Sequence, residues 1–287
     1  MTNLKRGQIQ LRGRLRWKFR RAAAYLKHGS GAFAGQPIVF GNAIPKCGSK
    51  LLFNILRALE DVGPFVDTGL NEIKPFFRGQ PTPTDWIEQQ IKALGPGDIR
   101  FGYLYAQPGL IELLTRKQHA TFIILRDPRD QIVSEIFYAL EMHPGHGLRD
   151  YLQSLPDMPA RIHALTAGVD HTPVERVGVK AHYQRFMPWI THPDVCAVRF
   201  EDLIHDREQQ IERMLGYLEA RGYKASVPRS QILEHLLIAM QPKKSETFRK
   251  GVSGAWREHF SPDNIAVFKQ EAGDLLIELG YEKDLEW

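Results

Sequence analysis

This chain of 287 residues has little of what a secreted or membrane-spanning protein is built from. Two cysteines, Cys47 and Cys196, are too few for a disulfide framework and fit a reducing cytoplasm. No apolar run reaches the roughly 18 residues of a spanning helix. No apolar secretory core is present, and no internal repeat is found. His143 and His146 form the nearest approach to a metal-ligand pair, but no further ligands stand at suitable spacing. A solvated loop is the plainer reading of that pair. His119 and His259 read as structural. The first 28 residues hold no acid at all.

Those 28 residues carry nine Lys/Arg, which leaves 29 cations against 33 acids in the remainder. The basic character therefore lies in the N-terminal segment. Leu11, Leu15, Phe19, Ala22 and Leu26 recur at helical spacing. Such a basic amphipathic helix suits an anionic membrane surface or docking on the body, with nucleic acid the weaker alternative. A protein peripheral to the inner membrane surface is one expectation. Gly29, Gly31 and Gly35 then read as a flexible joint. Residues 1–35 are taken as the extension and 36–287 as one domain.

A hydrophobic content of 43% can bury a full core. Strand-like runs occur at 38–41, 100–105, 122–125 and 195–200. Helical runs are expected at 49–60, 108–117, 128–142, 179–191, 207–221 and 262–280. Alternating strands and helices imply an α/β fold whose parallel sheet is flanked by helices on both faces. Residues 61–98 read as an insertion containing one short helix, and 143–178 lack clear periodicity.

The most informative stretch is Pro45-Lys46-Cys47-Gly48-Ser49-Lys50. It follows an apolar run and precedes a helical pattern. A strand that turns sharply into a helix aims backbone N–H groups and the positive helix end at one point, which binds phosphate. Lys46 adds a charge and Ser49 a hydroxyl. The nucleoside-triphosphate loop G-x-x-x-x-G-K-[ST] is not met, because Ala43 takes the first Gly place and Ser49-Lys50 stand in reverse order. That order speaks against a Mg²⁺-dependent ATP kinase. Alone, the stretch also fits an ordinary strand-to-helix turn.

Two more segments carry cations near helix starts. Arg126-Asp127-Pro128-Arg129-Asp130 ends an apolar strand, with Ser134 two turns into the next helix. Phe248-Arg249-Lys250-Gly251-Val252-Ser253-Gly254-Ala255-Trp256 sets adjacent cations beside a glycine. Together the three segments resemble the sulfotransferases that use 3′-phosphoadenosine-5′-phosphosulfate (PAPS) and leave PAP as product. In that family the first loop reads P-K-S-G-T-T-W and grips the 5′-phosphosulfate. The resemblance thus implies nucleotide-binding roles for Lys46, Cys47, Gly48, Ser49, Lys50 and Leu51. The second motif pairs an Arg with a Ser eight residues later to bind the 3′-phosphate, as Arg126 and Ser134 do here. The third, R-K-G-x-x-G-x-W, closes over that phosphate, which implies Arg249, Lys250 and Gly251. Phe200-Glu201-Asp202-Leu203 is similar to the family's Y-E-D-L segment, whose aromatic sits near adenine. The resemblance runs from about residue 37 to the C-terminus.

The resemblance implies a P-loop-like fold and transfer of a sulfonate to a hydroxyl. Lys46 would stabilise the leaving nucleotide oxygen in an in-line displacement. No metal is implied. The acceptor could be a small phenol, lipid, glycan or peptide. Several positions depart from the family pattern. Tyr103, in Gly102-Tyr103-Leu104, stands where the family has its catalytic His, and Phe101 takes the place of a neighbouring Lys. An unperturbed Tyr titrates near about 10 and is a poor base at neutral pH. Three readings stay open: a PAPS/PAP-binding protein with weak or lost catalysis, another base such as Tyr105 or a displaced His, or an acidic acceptor. Leu51 replaces the family Trp that stacks on adenine, a contact Phe200 and Phe248 could supply. Cys47 in an electropositive loop reads either as an acidified thiol or as an inert small residue. The family's dimer motif is not supported, since Pro262 and Ala266 break it.

Overall fold

The structure, a computed structural model, describes residues 3–77, 80–170, 176–241 and 252–287. Its centre is a five-stranded parallel sheet of β1 (Ile38–Ala43), β2 (Val66–Asp67), β3 (Asp98–Gly102), β4 (His119–Leu125) and β5 (Val195–Arg199). The spatial order is β2-β3-β1-β4-β5. Every residue of β1 and β4 is buried. That two-sided burial is why these strands read as near-continuous apolar runs rather than alternating ones.

Eleven helices matter for the site: α1 (Asn3–His28), α2 (Ser49–Arg57), α3 (Thr84–Lys92), α4 (Pro108–Leu114), α5 (Pro128–Phe137), α6 (Met158–Ala167), α7 (Val179–Gln184), α8 (Phe200–His205), α9 (Arg207–Ala220), α10 (Arg229–Ala239) and α11 (Pro262–Glu278). Strand alternation splits the core in two. Phe40, Ile123 and Leu125 face α3–α7 and α11. Val39, Phe122 and Ile124 face α2, α8, α9 and α10.

Local chemistry sets the helix starts. The Asp127 carboxylate accepts the Arg129 N–H at 2.9 Å, and Pro128 occupies the first turn of α5. Ser261 and Asn264 form a capping box at α11. At its far end α5 runs into a π-helical turn, Tyr138–Met142. Such turns concentrate at functional positions.

The expected sheet and flanking layers are present, with differences of detail. The sheet has a fifth strand, β2, inside the segment read as an insertion. It is two residues long and too short for a periodic signal. The strand expected at 100–105 ends at Gly102, so Tyr103 lies just beyond it. Residues 143–178 contain two helices, α6 and Arg149–Ser154, both short. The run expected at 179–191 is broken at Arg185–Phe186, before Met187–Ile190 with Pro188 in its first turn. The expected flexible joint is packed: Phe33 is buried and its ring meets Tyr25 edge-on at 4.8 Å. Phe248, Arg249, Lys250 and Gly251 lie outside the described residues. Among the described residues no helix is long and apolar enough to cross a membrane.

Candidate functional site

Four loops leave the carboxyl ends of adjacent parallel strands and meet around one cavity of about 690 Å³. Lys46 follows β1, Tyr103 follows β3, Arg126 follows β4, and Phe200 follows β5. Ligand sites of open α/β sheets occur at this edge. Of the residues singled out from sequence, Lys46, Gly48, Ser49, Lys50, Leu51, Tyr103, Arg126, Ser134 and Phe200 line the cavity. Lys74 and Arg207 add two cations, so five basic side chains face two carboxylates, Glu72 and Asp130. The cavity therefore favours a ligand with more than one negative charge.

The loop before α2 is held under strain. Lys46 has φ 69°, the one positive value at a non-glycine residue among the described residues. Such a conformation costs about 1–3 kcal/mol and concentrates at functional sites. Gly48 has φ 90°, and a Cβ there would sit 2.5 Å from the Phe200 ring. Only glycine satisfies both conditions. The ammonium of Lys46 rests 3.3 Å from the centre of the Tyr138 ring. Burial lowers its pKa to about 8, with Glu135 acting against that shift. Lys46 is thus a desolvated cation held on an aromatic face.

Cys47 does not face the cavity. Its thiol lies 3.4 Å from the Tyr183 hydroxyl, which in turn donates to the Arg126 carbonyl at 2.8 Å. Burial pushes the thiol up to about 12. Of the two readings of Cys47, the structure disfavours the acidified thiol: complete burial outweighs nearby Arg126. The inert reading holds.

Arg126 spans the site. Its guanidinium stacks 4.6 Å over Phe200 and donates to the Val252 carbonyl at 2.8 Å. The side chain is 12% exposed, and its buried Nε has no hydrogen-bond partner among the described residues. An unpaired buried donor facing a cation-rich cavity fits an anionic ligand. Asp130 accepts the Gly254 and Trp256 N–H groups at 2.7 and 2.8 Å. It fixes the segment that follows Gly251 against α5. Ser134 lies one turn along α5 from Asp130.

One wall of the cavity is built from the segment 70–76. Buried Arg100 donates to the carbonyls of Leu70 and Asn71 at 3.0 and 2.7 Å. Ile73 bridges to Gly102. These contacts bring Glu72, Lys74 and Phe76 to the cavity wall. The Glu72 carboxylate takes Lys50 at 3.1 Å. Burial alone would raise its pKa, but its own N–H and Lys50 outweigh burial and lower it. Tyr103 donates its hydroxyl proton to Ser49 Oγ at 3.0 Å, and burial raises its pKa. At neutral pH Tyr103 holds its proton. Tyr105 also lines the cavity, under Arg185 at 5.1 Å. His143 and His146 cluster around Tyr138, with ring centres 5.5 and 5.7 Å away. His146 Nδ1 accepts the Leu148 N–H. His119 is buried at the start of β4, and burial lowers its pKa to about 4.

Glu72, Asp130 and Tyr138 were not singled out as site residues. Asp130 stands within the quoted second motif, and Tyr138 lies one turn past Ser134. Glu72 sits in an irregular segment with no sequence signal. Among the described residues, no group of His, Cys, Asp or Glu is arranged to hold a metal ion.

The fold finds parallels among solved structures. Mouse sulfotransferase SULT7A1, complexed with PAP, superposes with a TM-score of 0.57 at 16% identity, covering 89% of this chain and 95% of that one. Retinol dehydratase in complex with androsterone and PAP gives 0.54 at 15% identity, covering 88% and 85%. Its complex with retinol and PAP gives 0.55 at 16% over the same shares. No curated protein sequence matches significantly. The sulfotransferase domain profile matches residues 38–279, which is most of the chain and takes in every loop that lines the cavity, so this protein belongs to the sulfotransferase family.

Proposed function

We propose that the protein transfers a sulfonate from PAPS to a hydroxyl acceptor. The observation that carries this is the cavity itself, lined by a desolvated Lys46 and by Arg126, whose buried Nε has no partner among the described residues, in a sulfotransferase fold. PAPS, when bound, supplies a sulfonate on a good leaving group. Lys46 and the first turn of α2 would receive the 5′ end, where negative charge grows as the sulfur–oxygen bond breaks. Arg126 and Ser134 would hold the 3′-phosphate, for which the guanidinium fork is suited. Arg249, Lys250 and Gly251 would add to that end by family resemblance. Leu51 and Phe200 would offer apolar surfaces to adenine, and Phe248 would add to them by its place in the third motif. Gly48 keeps the loop open to the ligand.

Glu72 is the base in this reading. It lines the cavity beside Lys50, is ionised at neutral pH, and stands on the acceptor wall. Its carboxylate would take the hydroxyl proton as the acceptor oxygen bonds to sulfur. Tyr103 would instead orient Ser49 through its donated hydrogen bond. The same Tyr103 proton supports a second reading, a PAPS/PAP-binding protein without turnover. Free, buried Cys47 and Cys196 suit a reducing cytoplasm.

The test is PAP release from PAPS with a panel of phenols, alcohols and hydroxysteroids. Acceptor-dependent release is expected. Glu72→Gln should lower it by about 10²–10⁴-fold, the range of a positioned base, without loss of PAP affinity. Tyr103→Phe should stay within about tenfold. PAP binding with no turnover on any hydroxyl, rescued by Tyr103→His, would establish the second reading instead.

A further inference from the structure

The helix α1 has two faces with different partners. Its inner face is fastened to the body. Trp17 Nε1 donates to Asp98 at 3.2 Å, Arg21 pairs with the same buried carboxylate at 2.5 Å, and Arg20 pairs with Glu60 at 3.0 Å. Gly13 lies against Leu70, and Arg20 against Gly69. Among the described residues, body docking therefore uses Trp17, Arg20 and Arg21, and none of the helix's exposed apolar side chains.

The outer face carries Leu15, Phe19 and Leu26, exposed by 47%, 75% and 90%. At 100° per residue these fall within one narrow stripe, with exposed Ala22 between them. Arg14 and Lys18 flank the stripe on one side, and Arg16 and Lys27 on the other; all four are exposed. We propose that this outer face of α1 seats on an anionic lipid bilayer, with Phe19 and Leu26 inserted and the flanking cations at the headgroups.

Charge and pattern select this occupant. A cationic rim around an apolar stripe matches a surface that is anionic at its headgroups and apolar beneath. Nucleic acid would place phosphates against the centre of the face, and here that centre is Leu15, Phe19 and Leu26. A second copy would set two acid-free cationic helices against each other, which repels. Seating also has a consequence for the site. The body segment under α1, at Gly69 and Leu70, runs directly into Glu72, Lys74 and Phe76 of the cavity wall. The acceptor wall is then carried close to the bilayer.

The experiment is sedimentation of the full chain with vesicles of phosphatidylcholine containing or lacking phosphatidylserine. Binding is expected only with phosphatidylserine, and it should fall in high salt. Phe19→Asp/Leu26→Asp should reduce it at least about tenfold. Lys18→Glu should reduce it about 25-fold, taking about fivefold per unit of charge over a two-unit change. Both variants should keep the wild-type melting temperature and PAP affinity, since these positions are exposed and outside the cavity. Equal binding to both vesicles, no binding to either, or a tenfold preference for duplex DNA over the anionic vesicles would overturn the proposal. So would concentration-dependent dimerisation that Phe19→Asp abolishes.

Discussion

Replacing Lys46 by Met should make the nucleotide-free protein more stable. The Lys46 ammonium is largely buried with no salt-bridge partner among the described residues, and its pKa falls from 10.5 to about 8. A displacement of that size sets roughly 3 kcal/mol against the charged form at pH 7. The Tyr138 face, 3.3 Å away, returns about 1–2 kcal/mol of this. Met keeps the length and apolar stem and lacks the charge, while the strained backbone at φ 69° is common to both. The net gain is about 1–2 kcal/mol, or about 2–6 °C in melting temperature for a chain of this size. The sign with pH is fixed. Because the folded pKa lies below the unfolded one, the wild-type penalty is fully present below pH 8. It is lost as pH rises from about 8 towards 10.5, where the two melting curves should converge. Scanning calorimetry of both proteins without ligand, from pH 7 to 10, reads this directly. PAP binding should fall in the same variant, since the group that costs stability is the one the nucleotide needs. A variant that melts lower than wild type at pH 7 would show that Lys46 is well solvated or paired, and the reasoning would fail.

Other outcomes follow from the same geometry. PAP binding to the wild type should take up protons near pH 8–9, because an anion restores the lowered Lys46 pKa; titration in buffers of different ionisation enthalpy measures this, and Lys46→Met should abolish it. Tyr183→Phe removes the donor to the Arg126 carbonyl and should cost about 1–3 kcal/mol in denaturant unfolding. Gly48→Ala meets both a positive φ and the Phe200 ring, so it should lower stability by about 1–3 kcal/mol and weaken PAP binding; wild-type behaviour in both assays would contradict the strained loop. Asp130→Asn weakens the acceptor for two backbone N–H groups and should increase hydrogen exchange at Gly254 and Trp256.

Much of the site could be read from the chain because short-range rules place it. The apolar runs at 38–41 and 122–125 are buried on both faces, and their carboxyl ends set the positions of Lys46 and Arg126. The eight-residue separation of Arg126 and Ser134 runs from the end of β4 into the second turn of α5, and both line the same cavity. Leu51 and Phe200 were placed at that cavity by motif alone. What sequence could not give depends on long-range packing. Glu72 reaches the wall because Arg100, in a neighbouring strand, holds the Leu70 and Asn71 carbonyls. The burial of Cys47 against Tyr183 joins residues far apart in the chain. Charge counting left both an acidic and an inert thiol open there, and desolvation decided the direction. For α1, periodicity gave one amphipathic helix but not the division of its cations between the Glu60 and Asp98 side and the exposed rim.

The central claim is that the cavity between Lys46 and Arg126 binds a nucleotide with phosphates at two separate positions. Calorimetric titration with PAP, with and without Mg²⁺ and with ATP as the control, tests it most directly. One PAP site of equal affinity with and without the metal, weaker or absent ATP binding, and loss of the PAP signal in Arg126→Ala are expected. Absence of PAP binding to the wild type, or Mg²⁺-dependent preference for ATP, would contradict it.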